Sequence, residues 1–154
     1  MHKKITVLAM LLLFIVSCGK KVYTPLTAEV AVLSEEKHKT IELRCLGYGD
    51  SKDAAVGDSE RKAFEIIFFR GIPNTSLEKP LIGSNEAALT AKHRTYFNSF
   101  FNNGRYRSFV MSSYVSSPYQ KRESVFTGTV DIKINLMSLK KDLEDNNVIR
   151  KFGL

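Results

Sequence analysis

The sequence has little of what catalysis or metal binding requires. It contains three histidines among 154 residues, and neither His38 nor His93 has a second potential ligand at the spacing of a metal site. No serine lies in the Gly-x-Ser-x-Gly pattern of a nucleophile elbow. The acidic cluster of Asp142, Glu144 and Asp145 is predicted to be the solvated face of a helix. We therefore predict no metal, no cofactor and no enzymatic activity.

Apolar runs long enough to cross a membrane are also missing. The run from Ile5 to Val16 is shorter than the about 20 apolar residues that a transmembrane helix needs. It follows Lys3 and Lys4 and is followed by the small residue Ser17. A cationic start, a short apolar core and a small residue before a cleavage site are typical of a secretory signal peptide. We predict that residues 1–17 are such a peptide.

A cysteine stands directly after this cleavage site. The order Val16-Ser17-Cys18 resembles the lipobox of bacterial lipoproteins, and the resemblance implies that Cys18 becomes the lipidated N-terminus of the mature chain. Membrane contact is then expected through lipid rather than through a spanning helix. By resemblance to lipoproteins of two-membrane bacteria, Gly19 after Cys18 favours the outer membrane, with the domain facing the periplasm.

The remaining chain is expected to form one compact domain without a disulfide. Removal of Lys3 and Lys4 with the signal peptide lowers the formal charge from +7 to +5. A mildly basic balance suits anionic headgroups or an acidic protein partner, whereas export argues against nucleic acid. With Cys18 modified by lipid, Cys45 has no disulfide partner, and its alternation with Ile41 predicts a small buried side chain.

The first half of the domain is predicted to be a strand followed by two helices. We assign residues 18–25 to a tether, residues 26–154 to a single domain, and a first, weaker strand to residues 26–33. The strand Thr40–Leu46 alternates apolar and polar residues and is expected to end at Gly47-Tyr48-Gly49. We interpret this tripeptide as a tight turn with positive φ rather than a phosphate-binding loop.

A stripe of small residues predicts close helix packing after that turn. Ala55, Ser59 and Ala63 recur every four residues in a helix predicted over Ser51–Arg70. A second helix is expected to begin with Ser84 as its N-cap and to end at Asn102-Asn103-Gly104. Its inner face is predicted to carry the apolar residues Leu89, Tyr96, Phe97, Phe100 and Phe101.

The second half of the chain is predicted to contain an antiparallel hairpin. Strands are expected over Tyr106–Val115 and Phe126–Leu136, with a turn at Ser116–Lys121. Ser138 is predicted to cap a short final helix. The order β-α-α-β-β-α indicates an α+β fold, with a single sheet that contains antiparallel strands and two main helices packed on one face.

This arrangement also resembles a known family. A strand ending in Gly-x-Gly, the small-residue helix and the late hairpin resemble, over roughly residues 40–137, the domain shared by an outer-membrane-lipoprotein family and the N-terminal domain of a flagellar assembly protein. The resemblance implies a non-enzymatic envelope module that supports an assembly. The insertion around Gly71-Ile72-Pro73 and the aromatic second helix depart from the family's pattern, which argues against a flagellar role.

We therefore expect a structural or interaction lipoprotein of a cell-envelope assembly or secretion apparatus. Its partners would be the membrane, through Cys18, and an envelope protein. An alternative is a module that binds a glycan, a peptidoglycan fragment or a lipid in a groove between the second helix and the hairpin. A third possibility is an enzyme with a dispersed site. The candidate partner-binding residues, expected to cluster at one end of the hairpin, are Arg105, Arg107, Tyr119, Lys121 and Arg122.

Overall fold

The structure, a computed structural model, describes residues 30–151. The predicted signal peptide, Cys18 and the tether lie outside the described residues. The strands are β1 (Val30–Glu36), β2 (Thr40–Gly49), β3 (Val110–Val115), β4 (Gln120–Arg122) and β5 (Val125–Asn135). The helices are α1 (Lys52–Glu65), α2 (Glu86–Lys92), α3 (Arg94–Phe97) and α4 (Leu136–Asp145). Two π-helical turns, Ile66–Arg70 and Asn98–Asn102, follow α1 and α3. A 3-10 turn, Arg105–Phe109, precedes β3.

The strands form one antiparallel sheet, and the helices share a core with one of its faces. The order across the sheet is β1-β2-β5-β3, and β4 pairs with the other end of β5. Ile41, Leu43 and Cys45 of β2 are fully buried. They lie opposite the equally buried Ile134, Ile132 and Val130 of β5. The predicted α+β class is confirmed, and Cys45 is the buried residue that its alternation indicated.

Helix α1 packs very closely on β2, as its small-residue stripe predicted. Ala55, Ser59 and Ala63 are completely buried. A Cβ atom on Gly47 would lie 2.0 Å from the Ala55 carbonyl oxygen, so no larger residue fits there. The prediction of a positive-φ turn at Gly47-Tyr48-Gly49 is wrong, because these residues continue β2 and pair with β5. Their glycines serve the approach of α1 rather than a change of chain direction.

The second predicted helix is broken at His93. Its N-cap is Asn85, whose Oδ1 accepts a hydrogen bond from the Ala88 N–H at 3.2 Å, and not the predicted Ser84. The helical dihedrals are lost at His93, where φ is −112° and ψ is 37°. Before this break α2 buries no residue, whereas after it Tyr96, Phe97 and Phe100 enter the core. The predicted aromatic face is therefore confined to the part that follows the break.

The hairpin turn lies further along the chain than predicted. Arg122 pairs with Val125, so the turn consists of Glu123, with φ of 54°, and Ser124. The predicted turn at Ser116–Lys121 instead includes an interruption between β3 and β4, where Pro118 lacks an N–H for the ladder. The predicted strand also begins late, because Arg105–Phe109 forms a 3-10 turn.

The cap of the final helix also differs from the prediction. Asn135 caps α4 through a 2.9 Å bond from the Ser138 N–H to its side chain, so Ser138 lies inside the helix rather than at its cap. Leu139 and Leu143 are both fully buried, as the pattern of the final helix indicated. The helix therefore starts directly at the end of β5, and its apolar face joins the common core.

Candidate interaction surface

The structure does not bring the five predicted partner-binding residues together. Arg105 and Arg107 precede β3, whose Val110 pairs with Ile134 near the end of β5. Lys121 and Arg122 pair near the start of β5. The nine residue steps of β5 from Val125 to Ile134 span about 30 Å at roughly 3.3 Å per step. The cations therefore lie at opposite ends of the hairpin rather than in one cluster.

Arg105 is part of the internal framework. Its Nη1 and Nη2 donate to the two carboxylate oxygens of Asp142 at 2.7 and 2.8 Å, and Tyr96 OH donates to the same carboxylate at 2.8 Å. The guanidinium also lies 5.0 Å from the centre of the Tyr96 ring. The hydrogen bond to Asp142 raises the pKa of Arg105. Asp142, predicted to face solvent, thus joins α4 to α3 and to the turn before β3.

Arg107 precedes β3 in the chain, and Tyr119 follows it. The Arg107 side chain is 67% exposed, and its Nε lies 3.6 Å from Glu60 Oε2 on α1. Tyr119 is half-buried, because its ring covers Gly128 so closely that a Cβ atom there would lie 2.6 Å from the ring. The Lys52 ammonium lies 5.5 Å from the centre of this ring. Tyr119 therefore packs the hairpin against the start of α1.

Lys121 and Arg122 are exposed but belong to opposite faces of the sheet. Lys121 pairs with Phe126, and its Nζ lies 5.0 Å from the centre of that ring. Arg122 pairs with Val125, whose side chain lies on the other face because successive strand residues alternate. Both cations thus stay near solvent at the end of β4, next to the outer edge of the sheet.

The outer edge of β3 was not foreseen from the sequence. β3 pairs with β5 on one side, and no strand within residues 30–151 pairs with its other side. The Ser116 N–H donates to the Thr129 carbonyl at 2.9 Å. Since hydrogen-bonding direction alternates along an antiparallel strand, Ser112 and Tyr114 also bond to β5, whereas Ser113 and Val115 direct their N–H and C=O groups outward.

The side chains around this edge carry no charge. Met111, Tyr114 and Val115 are 55%, 52% and 39% exposed. The sequence has no charged residue from Ser108 to Gln120 and no acidic residue from Ala87 to Arg122. This acid-free stretch of 36 residues was the sequence signal that could have identified the surface. An uncharged, unpaired strand edge is a template for pairing with another chain.

The opposite side of the sheet is protected only in part, since Val32 and Leu33 of β1 are each 39% exposed. Beyond the last pair between β1 and β2, the exposed backbone of β2 is bonded by α1. The Tyr48 N–H donates to Asp58 Oδ2 at 2.9 Å, and Lys62 Nζ donates to the Leu46 carbonyl at 3.4 Å. Both edge strands have a register shift, between Val32 and Ser34 in β1 and between Val110 and Ser112 in β3, but only β1 ends in acidic residues, Glu35 and Glu36. Charges, bulges and covering side chains are known protections against strand pairing.

A polar row on the open face fixes β3 to the sheet. Arg44, Asp131 and Tyr114 lie side by side on β2, β5 and β3. Arg44 Nε and Nη2 donate to the Asp131 carboxylate at 2.7 and 2.6 Å, and the Asp131 side chain is only 1% exposed. The hydrogen bond from Arg44 lowers the pKa of Asp131, and hydrogen bonds from Ser116 and Tyr114 act in the same direction. The backbone of β3 is thereby held in place.

The groove predicted for a small ligand is filled by aromatic rings. Phe100 and Phe109 stack with their ring centres 5.7 Å apart, and Tyr106 packs against Phe64 at 5.6 Å. A separate shallow depression of about 780 Å³ lies on the outside of α2 and α3. Its lining residues are Glu86, Ala87, Thr90, Ala91, Arg94 and Asn98.

The described residues show neither a metal-type cluster nor a reactive thiol. Within residues 30–151, no three His, Cys, Asp or Glu side chains are grouped closely enough to hold a metal ion. Burial raises the pKa of the Cys45 thiol to about 12, so it remains protonated at neutral pH. None of the helices in this part of the chain combines the length and the apolar character needed to cross a bilayer.

Comparison of the chain with protein-family models, with curated proteins and with solved structures finds no match. The functional interpretation therefore depends on the sequence features and the geometry given above.

Proposed function

We propose that this chain is a membrane-anchored lipoprotein, held by lipid on Cys18, whose domain docks a protein partner. It would act as a structural or interaction module of a cell-envelope assembly or secretion apparatus, at the outer membrane and facing the periplasm. The proposal combines the lipobox-like junction at Cys18 with a folded domain that carries an exposed edge. It involves no catalytic residue, metal or cofactor.

The observation that supports docking most strongly is the outer edge of β3. Its backbone groups at Ser113 and Val115 point outward, and its exposed Met111 and Tyr114 are apolar or aromatic. Tyr is enriched where protein interfaces concentrate their binding energy. The helix-side core is complete without this edge, since Val130, Ile132 and Ile134 of the neighbouring β5 are fully buried. The edge is therefore available for a partner at no cost to the core.

The anchor is tested by replacing Cys18. A Cys18→Ala variant is expected to leave the membrane fraction, and mass spectrometry of the wild-type chain should find an acylated N-terminal cysteine. Cys45→Ala is the matched control, because Cys45 is buried in the sheet and should not affect fractionation. Equal membrane association of the wild type and the Cys18→Ala variant would contradict lipid anchoring.

Docking is tested by chemical cross-linking in intact cells followed by mass spectrometry. We expect a cross-linked species that contains this chain and a second envelope protein, with cross-linked sites on or near β3 and β4. Recovery of the monomer alone under several cross-linking chemistries would contradict the docking function.

A further inference from the structure

We propose that the partner binds by strand addition, an inference that rests on the docking function proposed above. An extended segment of the partner, apolar in its middle and acidic at its ends, would pair with the outer edge of β3 and lengthen the sheet by one strand. Addition of an extended peptide to a free sheet edge is a recurring mode of protein recognition, in which main-chain hydrogen bonds provide affinity and side chains provide specificity.

The backbone of β3 presents the required hydrogen-bonding groups. Ser113 and Val115 each direct one N–H and one C=O away from β5, and none of residues 30–151 bonds to these groups. The strand is already ordered, because the alternate residues Ser112 and Tyr114 pair with β5. A partner segment would therefore meet a preorganised template, which reduces the entropic cost of association.

The side chains of β3 define the middle of the partner segment. In an added strand, side chains lie beside those of the template on the same face. Tyr114 is exposed on the open face, and Val115 is exposed on the face that carries the helices. No charge lies between Ser108 and Gln120. Uncharged residues with apolar or β-branched side chains therefore fit the middle of the segment.

The charges at the two ends of β3 define the ends of the partner segment. Arg107 precedes the strand and is 67% exposed, although Glu60 lies 3.6 Å away. Lys121 and Arg122 continue the same edge beyond the Ser116–Tyr119 interruption and are exposed. No Asp or Glu lies from Ala87 to Arg122, and Glu123, in the turn after Arg122, is the nearest acidic residue along the chain. Acidic residues at the ends of the added strand would complement these cations.

The same charges argue against a second copy of this chain as the occupant. An antiparallel pair of β3 strands would place Arg107 of one copy near Lys121 and Arg122 of the other. A parallel pair would place each cation near its own equivalent. Since Arg107, Lys121 and Arg122 outnumber the adjacent Glu60 and Glu123, both arrangements bring an excess of like charge together, which disfavours pairing.

The test uses the full chain in mild detergent and a synthetic peptide of six alternating valine and threonine residues between two pairs of aspartates. We expect binding that slows amide hydrogen exchange at Ser113 and Val115, while the outward amide of Val32 on β1 is unaffected. A matched peptide with lysines in place of the aspartates should bind at least about tenfold more weakly. A peptide in which every backbone amide of the valine–threonine segment is methylated, so that neither of its edges can donate, should lose most of its binding.

Variants of Ser113 link the binding to the backbone. Ser113→Pro removes an outward N–H without removing a bond to β5, so the fold should persist while peptide affinity falls about tenfold. Ser113→Thr, which keeps the N–H, should bind like the wild type. If Ser113→Pro fails to fold, the comparison of the methylated and unmethylated peptides on the wild type still decides the question.

Several outcomes would overturn strand addition. These are equal binding of the aspartate and lysine peptides, protection of residues on α2 and α3 instead of β3, undiminished binding by a folded Ser113→Pro variant, and self-association through β3. If any of these is found while cells still yield a cross-linked envelope partner, only the binding mode is wrong. If no partner is cross-linked either, the docking function itself is wrong.

Discussion

The two edges of the sheet differ in charge and in how far their backbone groups are hydrogen-bonded. On the β2 side, Asp58 and Lys62 of α1 bond to backbone groups that would otherwise be free, and β1 ends in acidic residues. On the β3 side, Ser113 and Val115 leave their outward groups unpaired, and no charge interrupts the strand. The β3 edge is therefore the more open of the two, although Val32 and Leu33 of β1 are also exposed.

The difference originates in where α1 lies. Gly47 and Gly49 let the helix approach β2 closely enough for Asp58 and Lys62 to reach its backbone. No helix takes the equivalent position beside β3 in the described part of the chain, and Tyr114 of β3 lies beside the Arg44–Asp131 pair on the open face. The Leu46–Tyr48 part of β2 is therefore bonded internally, whereas the outer side of β3 is exposed.

The largest effect is expected from separating α1 from β2. Gly47→Val would place a side chain on the Ala55 carbonyl, so we expect a loss of about 3 kcal/mol or more in the free energy of unfolding, measured in urea. Gly57→Ala is the control, because the nearest atoms lie 3.9 Å from its added Cβ. It should stabilise α1 by about 0.5–1 kcal/mol. Equal effects of both changes would contradict the close approach at Gly47.

The second largest effect on stability is expected from breaking the Arg44–Asp131 ion pair. Asp131→Asn should lower the free energy of unfolding by about 1–3 kcal/mol near neutral pH, because Arg44 loses its charged partner. The pKa of Asp131 in the folded state lies below the unfolded value of about 3.9. The contribution of Asp131 to the free energy of unfolding is therefore present above about pH 5 and is lost as the pH falls through the folded-state pKa. The difference between wild type and variant should therefore shrink in acid. A difference that is independent of pH would contradict this account.

A smaller effect is expected at the protected edge. Asp58→Ala removes the acceptor of the Tyr48 N–H and the ion-pair partner of Lys62, which should cost about 1 kcal/mol. Amide hydrogen exchange at Tyr48 should accelerate in the variant. Asp53→Ala, in the exposed first turn of the same helix, serves as the control and should leave exchange at Tyr48 unchanged.

The smallest effect is expected at the free edge. Ser113→Lys places a charge on an exposed position of β3 and should change the free energy of unfolding by no more than about 0.5 kcal/mol. The same change should impair partner binding by placing a cation in the uncharged middle of the edge. Urea unfolding and the peptide assay measure the two effects separately. A large loss of stability would mean that the edge belongs to the folding core.

Local patterns predicted most elements but not their relations in space. The alternation in Thr40–Leu46 and in Phe126–Leu136, and the stripe through Ala55, identified the strands and the closely packed helix. The start of α1 at Ser51 was predicted correctly. The start of α2 was missed because Ser84 and Asn85 are both good caps, and the choice between them depends on the path of the incoming chain. Gly47 was assigned to a turn because its true constraint is contact with a helix that follows later in the sequence.

The candidate surface was harder to predict for the same reason. Which strand lies at the edge of a sheet depends on pairing between distant segments, and nothing local in β3 shows that its outer side is unpaired. Arg105 looked like a surface cation because its partner, Asp142, lies 37 residues away in sequence. The absence of acidic residues from Ala87 to Arg122 was visible, but only the register placed that stretch along one edge.

Site-specific photo-cross-linking in intact cells tests the contrast between the edges most directly. A photoreactive amino acid is placed at Ser113 on β3 in one strain and at Ala31 on β1 in another, since both positions are exposed. We expect a cross-linked complex with a second envelope protein from position 113 and none from position 31. Equal cross-linking from both positions, or cross-linking from position 31 alone, would contradict this expectation.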